Sequence, residues 1–109
     1  MQTNAERVLD ALGDPTRREV LKRLRSGTRS VSEIAAGLKV TRPAVSQHLQ
    51  ILKAARLVFD RAEGTRRLYA IDTRGFGEVR KWLDGFWDET LAAFKHAAEL
   101  EAAKERKRR

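Results

Sequence analysis

The chain has no cysteine, which excludes disulfides, thiolate metal sites and thiol redox chemistry within its 109 residues. No apolar run approaches the ~18 residues that a membrane span requires. Met1 to Leu12 lacks the charged lead and apolar core of a secretory signal. The chain therefore reads as a soluble, cytoplasmic protein with no membrane partner. There is no Gly-rich phosphate loop and no carboxylate pair in a supporting pattern, and the two histidines, His48 and His96, stand 48 residues apart. Nothing in this set points to an enzyme, a metal or a cofactor. The most informative absence is local: no Asp or Glu occurs between Glu33 and Asp60.

What is present is positive charge, +8 overall with a pI near 10.6. Residues 1–75 carry 15 Lys/Arg against 8 Asp/Glu, residues 76–103 carry 3 against 6, and residues 104–109 carry 5 against 1. A polyanionic partner fits the first 75 residues and the tail, but not the acidic stretch between them.

The carboxylate-free window falls on two short helical patterns. Ser30-Val31-Ser32-Glu33 has the spacing of a capping box, and Val31, Ile34, Ala35 and Leu38 continue it as one apolar stripe. Lys39-Val40 interrupts. Thr41 then offers a new N-cap, with Pro43 in the first turn, where its missing N–H costs nothing. Val45, Leu49 and Leu52 make the second stripe, and the opposite face carries Arg42, Ser46, Gln47, Gln50 and Lys53. Such side chains bond phosphates and base edges, and a surface facing phosphates should lack carboxylates. A helical hairpin with a merely solvated polar face would show the same stripes.

Before this pair, Ala5, Val8, Leu9 and Leu12 suggest a helix stopping at Gly13. Asp14-Pro15 starts another, with Val20, Leu21 and Leu24 buried. Its N-terminus offers Thr16 and Arg17 as phosphate contacts, or simply a solvated surface. After the pair, Leu57-Val58-Phe59 and Leu68-Tyr69-Ala70-Ile71 read as short strands around a Gly-containing tip. Arg61, Arg66 and Arg67 near that tip suit a wing laid along DNA, or a solubilising turn. From about Thr73 a long helix keeps Phe76, Val79, Leu83, Phe86, Trp87, Leu91, Phe94 and Ala98 near helical spacing, with Trp82 beside them. Five of the seven aromatic residues lie here. Burying each is worth roughly 1.5–3 kcal/mol, so a second copy of the helix is the simplest cover. The tail from Lys104 reads as a flexible arm adding phosphate contacts or as a frayed end.

The order helix, helix, helix, recognition helix, hairpin, helix is similar to the ArsR/SmtB family of winged-helix repressors. Leu12-Gly13-Asp14-Pro15-Thr16-Arg17-Arg18, Val31-Ser32-Glu33-Ile34-Ala35 and the segment from Thr41 to Leu52 carry the resemblance. It implies a mainly α winged helix-turn-helix (α-α-α-α-β-β-α) spanning residues 1–103, with residues 104–109 as a separate basic tail. It further implies a homodimer that binds double-stranded DNA and represses from a palindromic operator. The dimer would be held by Val8, Leu9 and Leu12 of the first helix and by Val79, Trp82, Leu83, Phe86, Trp87, Leu91 and Phe94 of the last. In the DNA interface, Arg42, Ser46, Gln47 and Gln50 would face the major groove, while Thr41, Lys53, Arg61, Arg66 and Arg67 would hold phosphates or the minor groove. Ser30, Val31 and Ser32 stand where metal-sensing members carry cysteine, and His96-Ala97-Ala98-Glu99 matches only half of a last-helix zinc pattern, so no metal site is expected. Lys39 and Arg56 stand where the family commonly has Gly, which costs roughly 1 kcal/mol at each position that keeps positive φ. The same basic surface would also serve a non-specific architectural protein, and the aromatic helix alone would serve a protein–protein module. The effector, if there is one, is not legible.

Overall fold

Each of the first four helices begins where the sequence supplies a cap. The structure is a computed structural model describing residues 1–108. It runs α1 (Asn4–Leu12), α2 (Pro15–Leu24), β1 (Arg29–Ser30), α3 (Val31–Ala36), α4 (Arg42–Ala54), β2 (Val58–Glu63), β3 (Arg66–Ile71) and α5 (Thr73–Arg108). Thr3 and Glu6 form a capping box at α1. The Asp14 carboxylate accepts from the N–H groups of Thr16 (2.7 Å) and Arg17 (3.1 Å), with Pro15 opening α2. Ser30 and Glu33 close the predicted box: the Glu33 N–H donates to Ser30 Oγ at 3.2 Å and the Ser30 N–H to Glu33 Oε1 at 3.0 Å. Thr41 Oγ1 accepts from the Ala44 N–H, one of the donors that a helix start leaves without a partner.

By its contacts the chain divides into two units, residues 1–79 and the stretch from Arg80 onward. In the first, Val45, Leu49 and Leu52 turn one face of α4 wholly inward against Val8, Val20, Leu24 and Ile34. Leu57, Val58 and Tyr69 close the same core from the sheet side. Burying a side chain of this size stabilises by about 1.5–3 kcal/mol relative to leaving it in water.

The hairpin is longer than the sequence suggests. β2 and β3 pair antiparallel from Val58↔Ile71 to Glu63↔Arg66, leaving only Gly64-Thr65 as the turn. Gly64 takes φ 60, which glycine adopts at no steric cost. A third strand, β1, which the sequence does not suggest, pairs with β3 and makes the order β1-β3-β2.

Helix α4 ends in a corner that also anchors the start of α5. Arg56 sits at φ 61; its N–H donates to the Lys53 carbonyl (3.0 Å) and that of Leu57 to the Leu52 carbonyl (2.9 Å). This is the reciprocal pattern of a Schellman motif, with arginine where glycine is usual. Of the two positions at which glycine is missing, only Arg56 carries positive φ; Lys39 does not, so no strain arises there. The Arg56 and Leu57 carbonyls then accept from the N–H groups of Gly75 (2.8 Å) and Asp72 (2.9 Å), which seats the first turn of α5.

Val8 requires a correction. It is 0% exposed and belongs to the chain's own core, so it offers no surface to a partner. The reason is the pitch of α1, which turns Ala5, Val8 and Ala11 inward and leaves Leu9 exposed and Leu12 half-buried at the margin. Val79 is likewise half-buried against the core. In the second unit Trp82, Leu83, Phe86, Trp87, Leu91 and Phe94 are 39% to 74% exposed. Trp82 stacks on Phe86 at 6.2 Å, and Phe86 meets Trp87 edge-on at 6.4 Å. The helix continues through Lys104 to Arg108, where the sequence predicts a tail separate from the domain.

Candidate nucleic-acid interface

The exposed face of α4 is dictated by its buried one. With Val45, Leu49 and Leu52 inward, helical periodicity turns Gln47 and Gln50 to the far side. Arg42, Gln47, Gln50 and Lys53 are exposed, Ser46 is half-buried, and Thr41 lies exposed at the helix start. No carboxylate lies on this helix.

The wing does not stand apart from it. Arg42 of α4 and Thr65, Arg66 and Arg67 of the hairpin line one cleft of about 300 Å³ with Ser30 to Glu33. Glu33 is the carboxylate in that cleft. It caps α3, and its Oε1 lies 3.8 Å from Arg66 Nη1. Its carboxyl is held below the usual range, first by the Ser30 N–H and then by the Ser30 hydroxyl, with Arg66 adding to the effect. Arg61 is exposed, 3.7 Å from Glu63.

In the sequence Asp60 marks only the end of the carboxylate-free window. In the structure it organises the place where wing and helix meet. Its side chain is 5% exposed; Oδ1 accepts from Lys53 Nζ at 2.8 Å and Oδ2 from Arg67 Nε at 2.7 Å. These two bonds, Lys53 first, hold the Asp60 carboxyl below the ordinary aspartate range against the opposing effect of burial. The signal that could have found it is register: a two-residue turn at Gly64-Thr65 pairs Asp60 with Tyr69, which puts Arg67 diagonally across on the same face.

The two candidates at the start of α2, Thr16 and Arg17, are engaged within the chain. Arg17 donates to the Ala11 and Asp10 carbonyls, closing the end of α1, and the Thr16 N–H is taken by Asp14. Arg56 reaches Glu78 Oε1 at 3.2 Å. His48 is half-buried beside the apolar stripe, and its Nδ1 has no hydrogen-bond partner. Among the described residues, no group of three or more His, Asp or Glu is placed to hold a metal.

The family model for the bacterial regulatory proteins of the arsR family matches residues 14–59, from the cap of α2 into β2. Over 96 residues the chain is 47% identical to the HTH-type transcriptional regulator Rv2034 of Mycobacterium tuberculosis, covering 88% of this chain and 90% of that protein. The chain belongs to the ArsR family. It is also 33% identical over 79 residues to the transcriptional repressor SdpR of Bacillus subtilis, covering 72% of this chain and 88% of that one. Among solved structures it is similar to the homodimeric winged helix-turn-helix DNA-binding domain Mb0332 of Mycobacterium bovis. The TM-score is 0.64 at 33% identity, over 81% of this chain and 82% of that one. This ArsR-family chain is thus a transcriptional regulator with a DNA-binding winged helix-turn-helix, and its relatives are regulators rather than enzymes. No helix among the described residues is long and apolar enough to cross a membrane.

Proposed function

We propose that this ArsR-family chain acts as a homodimeric repressor that binds a palindromic operator in double-stranded DNA. The observation that carries the reading is the carboxylate-free face of α4 beside a cleft lined by Arg42, Arg66 and Arg67. Arg42, Ser46, Gln47 and Gln50 enter the major groove, where Arg reads guanine and Gln reads adenine in bidentate fashion. Thr41, Lys53, Arg61, Arg66 and Arg67 hold phosphates or the neighbouring minor groove. The second copy covers the aromatic side of α5, and Leu9 and Leu12, unlike the fully buried Val8, keep apolar surface free for a partner. Two findings support the assembly, eight large apolar side chains of α5 left exposed and a homodimeric neighbour, and a relative named as a repressor supports the repression.

The test is selection of bound duplexes from a random pool. The reading expects an enriched twofold sequence with half-sites about one helical turn, roughly 10 base pairs, apart. A pool that stays random would instead make the chain a non-specific architectural protein using the same basic surface.

A further inference from the structure

We propose that Asp60 is a specificity-determining residue, a carboxylate that holds Lys53 and Arg67 in one fixed arrangement for the DNA backbone. The inference rests on the reading that this chain binds duplex DNA. Lys53 lies in the last turn of α4 and Arg67 on β3, so the two cations belong to the two elements that would read the duplex. Asp60, on β2, gives one oxygen to each, at 2.8 Å and 2.7 Å. The carboxylate is nearly buried, whereas the cations are 45% and 56% exposed. Asp60 thus lies behind them, away from solvent. Lys53 keeps two further N–H donors and Arg67 both terminal nitrogens, enough for each to take a phosphate without leaving Asp60.

The arrangement acts on the two kinds of binding in opposite directions. Binding without sequence preference depends on how much cationic charge neutralises phosphates. Asp60 lowers the charge of this trio from +2 to +1, which weakens that mode. Binding in register depends on where the cations stand, because phosphate contacts fix the orientation of the reading helix. Two long side chains tied to one buried carboxylate lose little further freedom on binding, which favours that mode. Asp60 therefore widens the gap between the preferred sequence and the rest. Glu33 makes a looser version of the same contact with Arg66, at 3.8 Å and between exposed groups.

The experiment compares Asp60→Asn with the parent chain on two probes: the duplex recovered from a random pool by the parent, and a mixed-sequence duplex of equal length. Asparagine keeps the shape but accepts one cation poorly and turns its amide N–H groups toward the other. The expected result is a roughly 3–10-fold gain on the mixed duplex, with a log–log salt slope steeper by about 1, and at least ~10-fold less discrimination between the probes. A residue that only supports the fold would scale both affinities together and leave their ratio unchanged; that result overturns the proposal. A variant too unstable to assay is replaced by Lys53→Gln, Arg67→Gln and their combination, both at exposed positions. Joined through one carboxylate, their effects on the preferred duplex are non-additive, and additive effects overturn the proposal equally. A parent chain that prefers no duplex refutes the repressor reading itself, and the inference with it. A parent that discriminates alongside a variant with an unchanged ratio refutes the inference alone.

Discussion

Gly75 and Gly77 stand two residues apart at the start of α5, and the structure assigns them opposite responses to alanine. A Cβ on Gly75 would lie 2.6 Å from the carbonyl oxygens of both Ala55 and Arg56, whereas one on Gly77 meets nothing within 4 Å. Neither oxygen can rotate away, since both are backbone. Overpacking of this kind costs typically 1–3 kcal/mol. Separating the segments also stretches the bonds from the Gly75 N–H to the Arg56 carbonyl and from the Asp72 N–H to the Leu57 carbonyl, each worth about 0.5–1.5 kcal/mol. Against this stands the helix propensity that alanine gains over glycine, roughly 1 kcal/mol. Gly75→Ala should therefore destabilise by about 2 kcal/mol, and Gly77→Ala, with the propensity gain alone, should stabilise by up to about 1 kcal/mol. Thermal melts followed by circular dichroism at one fixed protein concentration measure both, the fixed concentration removing the effect of self-association. At 4–8 °C per kcal/mol, the two melting temperatures should differ by more than about 10 °C. Equal melting temperatures, or a stable Gly75→Ala, would mean that the corner joining the end of α4 to the start of α5 is not packed as described.

Arg56→Gly removes the left-handed strain of roughly 1–2 kcal/mol. It also loses the exposed pair with Glu78 and adds chain entropy to the unfolded state, so a net gain of about 0.5 kcal/mol is expected in the same melts, with clear destabilisation as the contrary result. In acid, Asp60 and Asp72 contribute to the limb together with Asp14 and Glu33, whose carboxyls are also lowered. Asp60 is lowered by Lys53 and then Arg67, and Asp72 by the Arg74 guanidinium and N–H. A lowered folded-state pKa gives stability that is complete above the ordinary aspartate value near 3.8 and is lost as pH falls through the folded value. Melts should hold level from pH 7 to about 5 and decline below 4, and Asp60→Asn should make that decline shallower. On DNA, Arg66→Ala with Arg67→Ala should reduce the salt slope by about 1–2, whereas Gln47→Ala should relax the preference at one base pair by roughly 1–3 kcal/mol with little change of slope. Titration of the selected duplex at several salt concentrations separates the two, and an unchanged slope in the double variant would remove the wing from the interface.

The parts of this fold that local chemistry dictates are legible in the chain. Ser30 with Glu33, Thr41 with Pro43, and the stripe Val45/Leu49/Leu52 locate the starts of both helices to the residue, because caps and periodicity act over a few positions, whereas α3 stops at Ala36, short of Leu38 in its apolar stripe. Parts fixed by register over distance are not. β1 is two residues, Arg29 and Ser30, with no strand pattern of its own; it exists because β3 passes beside it. Asp60 to Glu63 look like a loop by composition, yet they extend β2, because an exposed ribbon needs no apolar alternation. The same gap hides the role of Asp60, whose partners come from α4 and β3. For Val8 the stripe is plain in the sequence but its cover is not, since an apolar face reads the same against its own core or a partner. The run from Lys104 to Arg108 continues the helix because Lys, Arg and Glu are good helix formers and no glycine or proline occurs after Gly85.

In the proposed assembly two copies, joined through the aromatic side of α5, present paired α4 helices to one duplex. Native mass spectrometry of the chain on the duplex selected from a random pool tests it directly. Two chains per duplex, reduced to one or none when Trp82, Phe86 and Leu91 are replaced together by serine, is the predicted result. A single parent chain bound per duplex, with affinity unaffected by those three replacements, would contradict it.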